Sequence, residues 1–374
     1  MPDKINSSTR RFVSIMVKSI ILCCIVTLLS IPTALGESIG IECYQNIRAI
    51  AIDPNQANVI YAAEKHGTYK SIDSGSTWKL MNNGYPISIE ALSINPEDSN
   101  LIYAATNNSI YKSNNGGTTW QLAFTTDLIS GNFPDYLKSM IIQSRKDVYA
   151  ILGNNIYKSI DNGIKWTAFK QNCSTLAIDE KNQKVIYTSC LSYYYPHNGI
   201  YKSIDGGFTW HMVLHTKATI TTLNIDKNNS QIIYAGNLEH GIFQSMDGGK
   251  QWHTLKDGLP LNVALNFSWD IPPLKTYNGY IQALAIDPIS SCIIYVGTLM
   301  GIYKSTDCGL KWNKSDKELP FYHISALAIN FKNSNIIYAG TNVDGIFRSI
   351  DGGENWQPVN TGILCQGRAL LPSK

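Results

Sequence analysis

The sequence contains no Cys-x-x-Cys pair, no His-Glu-x-x-His, no Gly-x-Ser-x-Gly elbow and no glycine-rich phosphate loop ahead of a helix. Zinc held by the usual ligand spacing, zincin or α/β-hydrolase chemistry, and nucleotide binding through a phosphate loop therefore lack their residues. No convincing amphipathic helix is written in the chain. Arginine is scarce: beyond residue 36 only Arg48, Arg145, Arg348 and Arg368 occur. The chain carries 31 Lys+Arg and 28 Asp+Glu, and setting aside residues 1–36, with Lys4, Arg10, Arg11 and Lys18 against Asp3, leaves 27 of each. A basic face for nucleic acid or anionic lipid is not supported. No cofactor is expected.

The first residues read as a leader. A positive front precedes the apolar run Ile20–Leu29, and Ala34-Leu35-Gly36 offers small residues at a cleavage site. The mature chain is expected to begin near Glu37, in a secreted, periplasmic or otherwise extracytoplasmic location, with no membrane span after cleavage. The rival reading is a retained anchor, since Ser19–Leu35 is nearly long enough to cross a bilayer. Six cysteines follow the leader: Cys43, Cys173, Cys190, Cys292, Cys308 and Cys365. An even number in an oxidising compartment points to disulfides.

One pattern fills the rest. The box Ser-x-Asp-x-Gly-x-x-Trp occurs with serines at Ser71, Ser113, Ser159, Ser203, Ser245, Ser305 and Ser349, and it uses seven of the eight tryptophans. Its polar residues are Asp73, Asn115, Asp161, Asp205, Asp247, Asp307 and Asp351; blade two substitutes the Asn. The serines lie 42, 46, 44, 42, 60 and 44 residues apart. Each box follows an apolar run ending in Asp or Asn, a polar turn, a run such as "NIIYAG", and then "GIYKS" or a close variant. Four short strands per unit and seven units of this length spell an all-β, single seven-bladed β-propeller over residues 37–374. The expected blades are about 44–83, 86–127, 138–170, 173–214, 218–257, 278–316 and 323–361, with an insertion at 253–279. The box is expected at the hairpin between the third and fourth strands. There the Asp accepts N–H groups two or three residues on, the Gly supplies positive φ, and the Trp starts and anchors the outer strand.

The pattern resembles the BNR or Asp-box repeat family, among WD40/YVTN-like propellers, and the resemblance covers the chain after the leader. That family includes sialidases, xyloglucan-type glycoside hydrolases, sortilin-like receptors and photosystem II assembly factors of the Ycf48 type. The resemblance implies that the boxes lie on the face away from any ligand and serve the scaffold. Blade connectivity predicts three disulfides: Cys43–Cys365 where the last blade meets the first, Cys173–Cys190 across an antiparallel pair, and Cys292–Cys308 between two turns on one face.

Connectivity also sorts the loops. Those joining strands one to two share a face with the boxes. Those joining strands two to three, or blade to blade, share the other, and all the length variation falls there. Aromatic insertions cluster on blades four to six of this loop face. Tyr193, Tyr194, Tyr195 and His197 lie in one loop; Phe267, Trp269, Tyr277 and Tyr280 belong to the long connection. They read as a platform for a protein or carbohydrate ligand. The plainer reading is that the tyrosines cover a blade edge and Trp269 fills the insertion's own small core. Catalytic candidates are weak. Asp270 is an acid on the same face, with Glu239, Asp127 or Asp135 opposite, but nothing in the sequence sets a separation between them. The arginine triad of a sialidase is not provided for. His66, His197 and His240 share the loop face without a spacing that would converge them on a metal. The expectation is an exported, non-catalytic binding propeller, with a glycoside hydrolase or an assembly-factor-like chaperone as the alternative.

Overall fold

Seven sheets, each of four antiparallel strands in sequence order, span residues 47–80, 91–125, 140–171, 173–215, 220–255, 281–314 and 324–358. The computed structural model describes residues 41–43, 45–64, 67–81, 88–126, 140–142, 147–153, 155–190, 198–238, 241–260, 280–319, 323–363 and 367–369. Among these there is no helix. The protein is a seven-bladed β-propeller, and among the described residues no strand is shared between blades.

The apolar runs explain the layering. Second strands such as Ile60–Glu64 and Ile337–Thr341 are buried along their whole length, because a neighbouring blade covers each face. Outer strands such as Gln121–Thr125 are mostly exposed. Where blades meet, space is tight: a Cβ added at Gly340 on blade seven would stand 2.6 Å from Ile47 on blade one.

Each box is a self-contained hairpin between strands three and four. In the first, the Ser71 hydroxyl donates to Asp73 at 2.8 Å and accepts from the Gly75 N–H at 2.8 Å. Asp73 Oδ1 accepts the Thr77 N–H at 2.9 Å. The Asp thus reaches four residues on, and in blades three and five it also takes the N–H three residues on, as expected. The longer reach comes from a pair of left-handed residues rather than one: Ser74 has φ 59° and Gly75 φ 84°. The first of the two tolerates Ser74, Asn162 and Cys308, all at positive φ. In blade two, Asn115 Oδ1 accepts the Thr119 N–H at 2.9 Å while its amide donates to the Thr119 hydroxyl at 2.8 Å. The outer strand begins one residue after the Trp, at Lys79 in blade one. The Ser74 N–H donates to Asn58, so the strand-one-to-two loops and the boxes share a face.

The blades are stapled by a repeated Tyr–Lys pair. Tyr61 and Lys70 face each other across strands two and three. Both donate to the Gly116 carbonyl in the next blade's box, at 3.1 and 3.3 Å. Tyr295 and Lys304 do the same to Gly352. Tyr338 and Arg348 reach Ser74 at 2.9 and 2.8 Å and close the ring. In the opposite sense, the Trp78 indole N–H donates to Val359 at 2.7 Å.

Cys173–Cys190 and Cys292–Cys308 are bonded as expected. The third pairing involves Cys365, which lies outside the described residues. The strand Ile41–Cys43 pairs with Gly367–Ala369, with Cys43 opposite Gly367. These segments form a unit separate from 46–363.

Candidate binding surface

The first strands of the blades surround a central cavity in two compartments. Their starts lie on the loop face and their ends on the box face. At the loop-face end, a cavity of about 340 Å³ is lined by Arg48, Glu90, Ser174, Thr221, Asn224 and Gln282 among others. Towards the box face, one of about 850 Å³ is ringed by Ile52, Ile94, Ile178, Ile225 and Ile329. Leu92, Leu176 and Leu223 border both. Both compartments mix polar and apolar side chains: Ile50, Leu284 and Leu327 also line the smaller, and Ser93, Glu180, Gln183 and Lys227 the larger.

Charge at the loop-face end is sparse and paired. Arg48 of blade one lies 3.6 Å from Glu90 of blade two. His323, at the entry to blade seven, is held neutral: burial, and then the Arg48 charge, lower its pKa to about 4. Its Nε2 is buried without a hydrogen-bond partner. Glu64 on the same face accepts from the Tyr69 hydroxyl at 3.2 Å, and burial raises its pKa. The side chains lining the loop-face compartment, Ser174, Thr221, Asn224, Gln282 and the Arg48–Glu90 pair, can hold a ligand through hydrogen bonds and one ion pair. Among the described residues no group of three or more His, Cys, Asp or Glu is arranged to hold a metal, and no helix is long and apolar enough to cross a membrane.

Of the aromatic platform, only Tyr280 is described. It is buried, and its ring meets His323 edge-on at 6.2 Å between centroids. It is packed into the fold rather than set on an open surface. Tyr193, Tyr194, Tyr195, His197, Glu239, Phe267, Trp269, Asp270 and Tyr277 lie outside the described residues. The root of the tyrosine loop is well defined. Cys190, its last described residue, is bonded to Cys173, and Ser189 hydrogen-bonds Ser174 at 2.9 Å and Thr175 at 2.8 Å beside it. The box carboxylates face away from this site and are spent on their own turns. Bonds from Thr77 lower the Asp73 pKa to about 2, and bonds from Asn355 do the same for Asp351.

Arg48, Glu90, Gln282 and His323 were not singled out from the sequence. A signal existed for the first two: each is a charge inside or beside an otherwise apolar first-strand run, "IRAIAI" and "ISIEALSI".

No protein-family model and no curated protein matches this chain. Its likeness is to solved propellers. The GH74 xyloglucanase from Xanthomonas campestris superposes with TM-score 0.65 at 16% identity, over 86% of this chain and 54% of that one. YCF48 bound to D1 peptide superposes with TM-score 0.58 at 13% identity, over 83% and 94% respectively. The extracellular domain of a putative hybrid two component system from B. thetaiotaomicron gives 0.58 at 14%, over 82% and 38%. The chain thus spans about half the length of the xyloglucanase. At these identities the shared property is the fold. The two disulfides are consistent with an extracytoplasmic location.

Proposed function

We propose that this is an exported, non-catalytic binding propeller of the Asp-box type. It captures a protein partner or a glycan on its loop face, around blades four to six and the mouth of the central cavity. The observation that carries this reading is the contrast in carboxylates. At the described cavity mouth Glu90 is tied to Arg48, so the one acid lining it serves an ion pair. Hydrolysis of a glycoside uses two carboxyl groups across an open groove, roughly 5–10 Å apart. The aromatic insertions and the disulfide-pinned loop root fit capture by contact area instead. A protein partner is the better match, because YCF48, solved with a peptide, is nearly covered end to end by this chain.

The test is a pull-down beside a glycan-array screen, with wild type and a Tyr193→Ala/Tyr194→Ala/Trp269→Ala variant. Capture by wild type and its loss in the variant is expected. Equal capture by both forms ends the platform. The hydrolase reading is favoured by the xyloglucanase superposition. It predicts sugar release from xyloglucan that Asp270→Asn or Glu239→Gln abolishes.

A further inference from the structure

The described part of the molecule exposes eleven large apolar side chains, and nine of them belong to the box hairpins or the adjoining strand-one-to-two loops. The other two, Leu122 and Met212, are on outer strands. The densest sector runs over three consecutive blades: Ile160 and Ile164 are 67% and 73% exposed, Ile204 62%, Phe208 89% and Met246 57%. Isolated exposed apolar residues need no explanation, but nine gathered on one face do. Scaffold duty does not require them. The box turn is made by its Ser, Asp and glycines, and blade two builds the same turn with Asn114 and Thr118 at the corresponding places.

We propose that the box face is a self-association surface, on which a second copy of this chain docks face to face about a two-fold axis. Three observations select a second copy. The nine side chains expose on the order of 1,000 Å², against about 800 Å² per partner in a standard interface. Three of the boxes carry both signs of charge: Asp161 with Lys165, Asp247 with Lys250 and Asp307 with Lys311. A patch carrying both signs is suited to meet itself in antiparallel register. The hairpins are also rigid, each cross-braced by its Ser and Asp or Asn, so docking orders little that is not already ordered.

The test is sedimentation of the exported protein from about 1 to 100 µM, where interfaces of this size associate. A reversible dimer is expected. Ile204→Glu/Phe208→Glu is expected to raise its dissociation constant at least tenfold, since each change occurs twice in the pair. These side chains are exposed, so the thermal transition of the dissociated chain should be unchanged. Leu122→Glu, on an outer strand, should leave the dimer intact. A monomer throughout the range overturns the proposal, as does a dimer indifferent to the box-face variant. A monomeric wild type that floats with anionic vesicles through Phe208 also overturns it, in favour of a membrane surface.

Discussion

Six of the seven blade junctions are built alike, and the junction between blades three and four is not. At the six, the second-strand Tyr, with a Lys, Arg or Gln opposite it, reaches the carbonyl of the next box's first left-handed residue. Tyr187 with Lys202 on Gly248 and Tyr234 with Gln244 on Cys308 complete the set already described, together with Tyr103 and Lys112 on Asn162. Between blades three and four, no bond from the Tyr149 hydroxyl to the fourth box is found among the described residues. Phe169 stands there instead. It meets Tyr149 at 5.4 Å and Trp210 at 6.0 Å, both edge-on, and Lys158 sits over the Tyr149 and Phe169 rings while pairing with Asp147. The cause is size at one position. In five blades the third residue of the outer-strand segment lies against the next box's glycine, as Phe169 does at Gly207. This third residue is Met81, Ala123, Val213, Leu255, Ser315 or Val359 elsewhere, and Phe169 only here. A phenyl ring occupies the volume that Tyr149 needs to pass. One interface thus exchanges two hydrogen bonds for aromatic packing, and the blade spacing survives.

The largest effect should come from removing the indole where the comparison is regular. Trp356 is 1% exposed and donates to Ser315 of the preceding blade at 2.9 Å. Trp356→Ala is expected to cost about 3–5 kcal/mol in denaturant unfolding. At the odd junction, Phe169→Ala should approach that loss, about 3 kcal/mol. Phe169→Val should cost less, because it frees the path for Tyr149 to reach the Gly206 carbonyl. If the two Phe169 variants are equally destabilised, the steric account of the junction is wrong.

Deleting a hydroxyl sharpens the contrast further. Tyr295→Phe should cost about 1–2 kcal/mol, since it strips a buried bond to Gly352. Tyr149→Phe should change stability by only a few tenths of that. A smaller effect concerns pH. The ordinary His pKa of 6.5 falls to about 4 at His323. Between those values the unfolded chain binds a proton that the folded chain refuses, so stability falls as pH drops from 6.5 towards 4. The loss is at most about 2 kcal/mol after allowance for solvent screening. His323→Gln should flatten the melting temperature across that window, and an unchanged slope would show that other groups set it.

The fold was legible because the same physical problem is solved seven times. Every box repeats its Ser, its Gly and its Trp, and all but blade two keep the Asp, so strand count and order follow from one reading of the hairpin. The number of left-handed residues per box was not legible, since Ser74, Asn162 and Cys308 carry no glycine to announce them. The site was far less readable. Periodicity states that Arg48 and His323 lie in or beside strands, but not that blades one and seven bring them within electrostatic reach. Inserted segments such as Leu191–His197 and 261–279 break the repeat, so the argument that carries from blade to blade stops at their borders.

Every blade is cut from one uninterrupted stretch of chain, and neighbouring blades meet through side chains and a few backbone bonds, such as those from the Trp78 and Trp312 N–H groups to Thr361 and Asp257. Strand pairing within a blade therefore runs through hairpins, which favours assembly of each blade before the disc forms. A propeller sewn by a swapped strand must bring its two ends together to complete a sheet. Here Tyr338, Arg348 and Trp78 reach carbonyls between blades seven and one, and the two end strands Ile41–Cys43 and Gly367–Ala369 pair in a sheet of their own rather than completing a blade. Tandem duplication of a single unit would thus add a finished part.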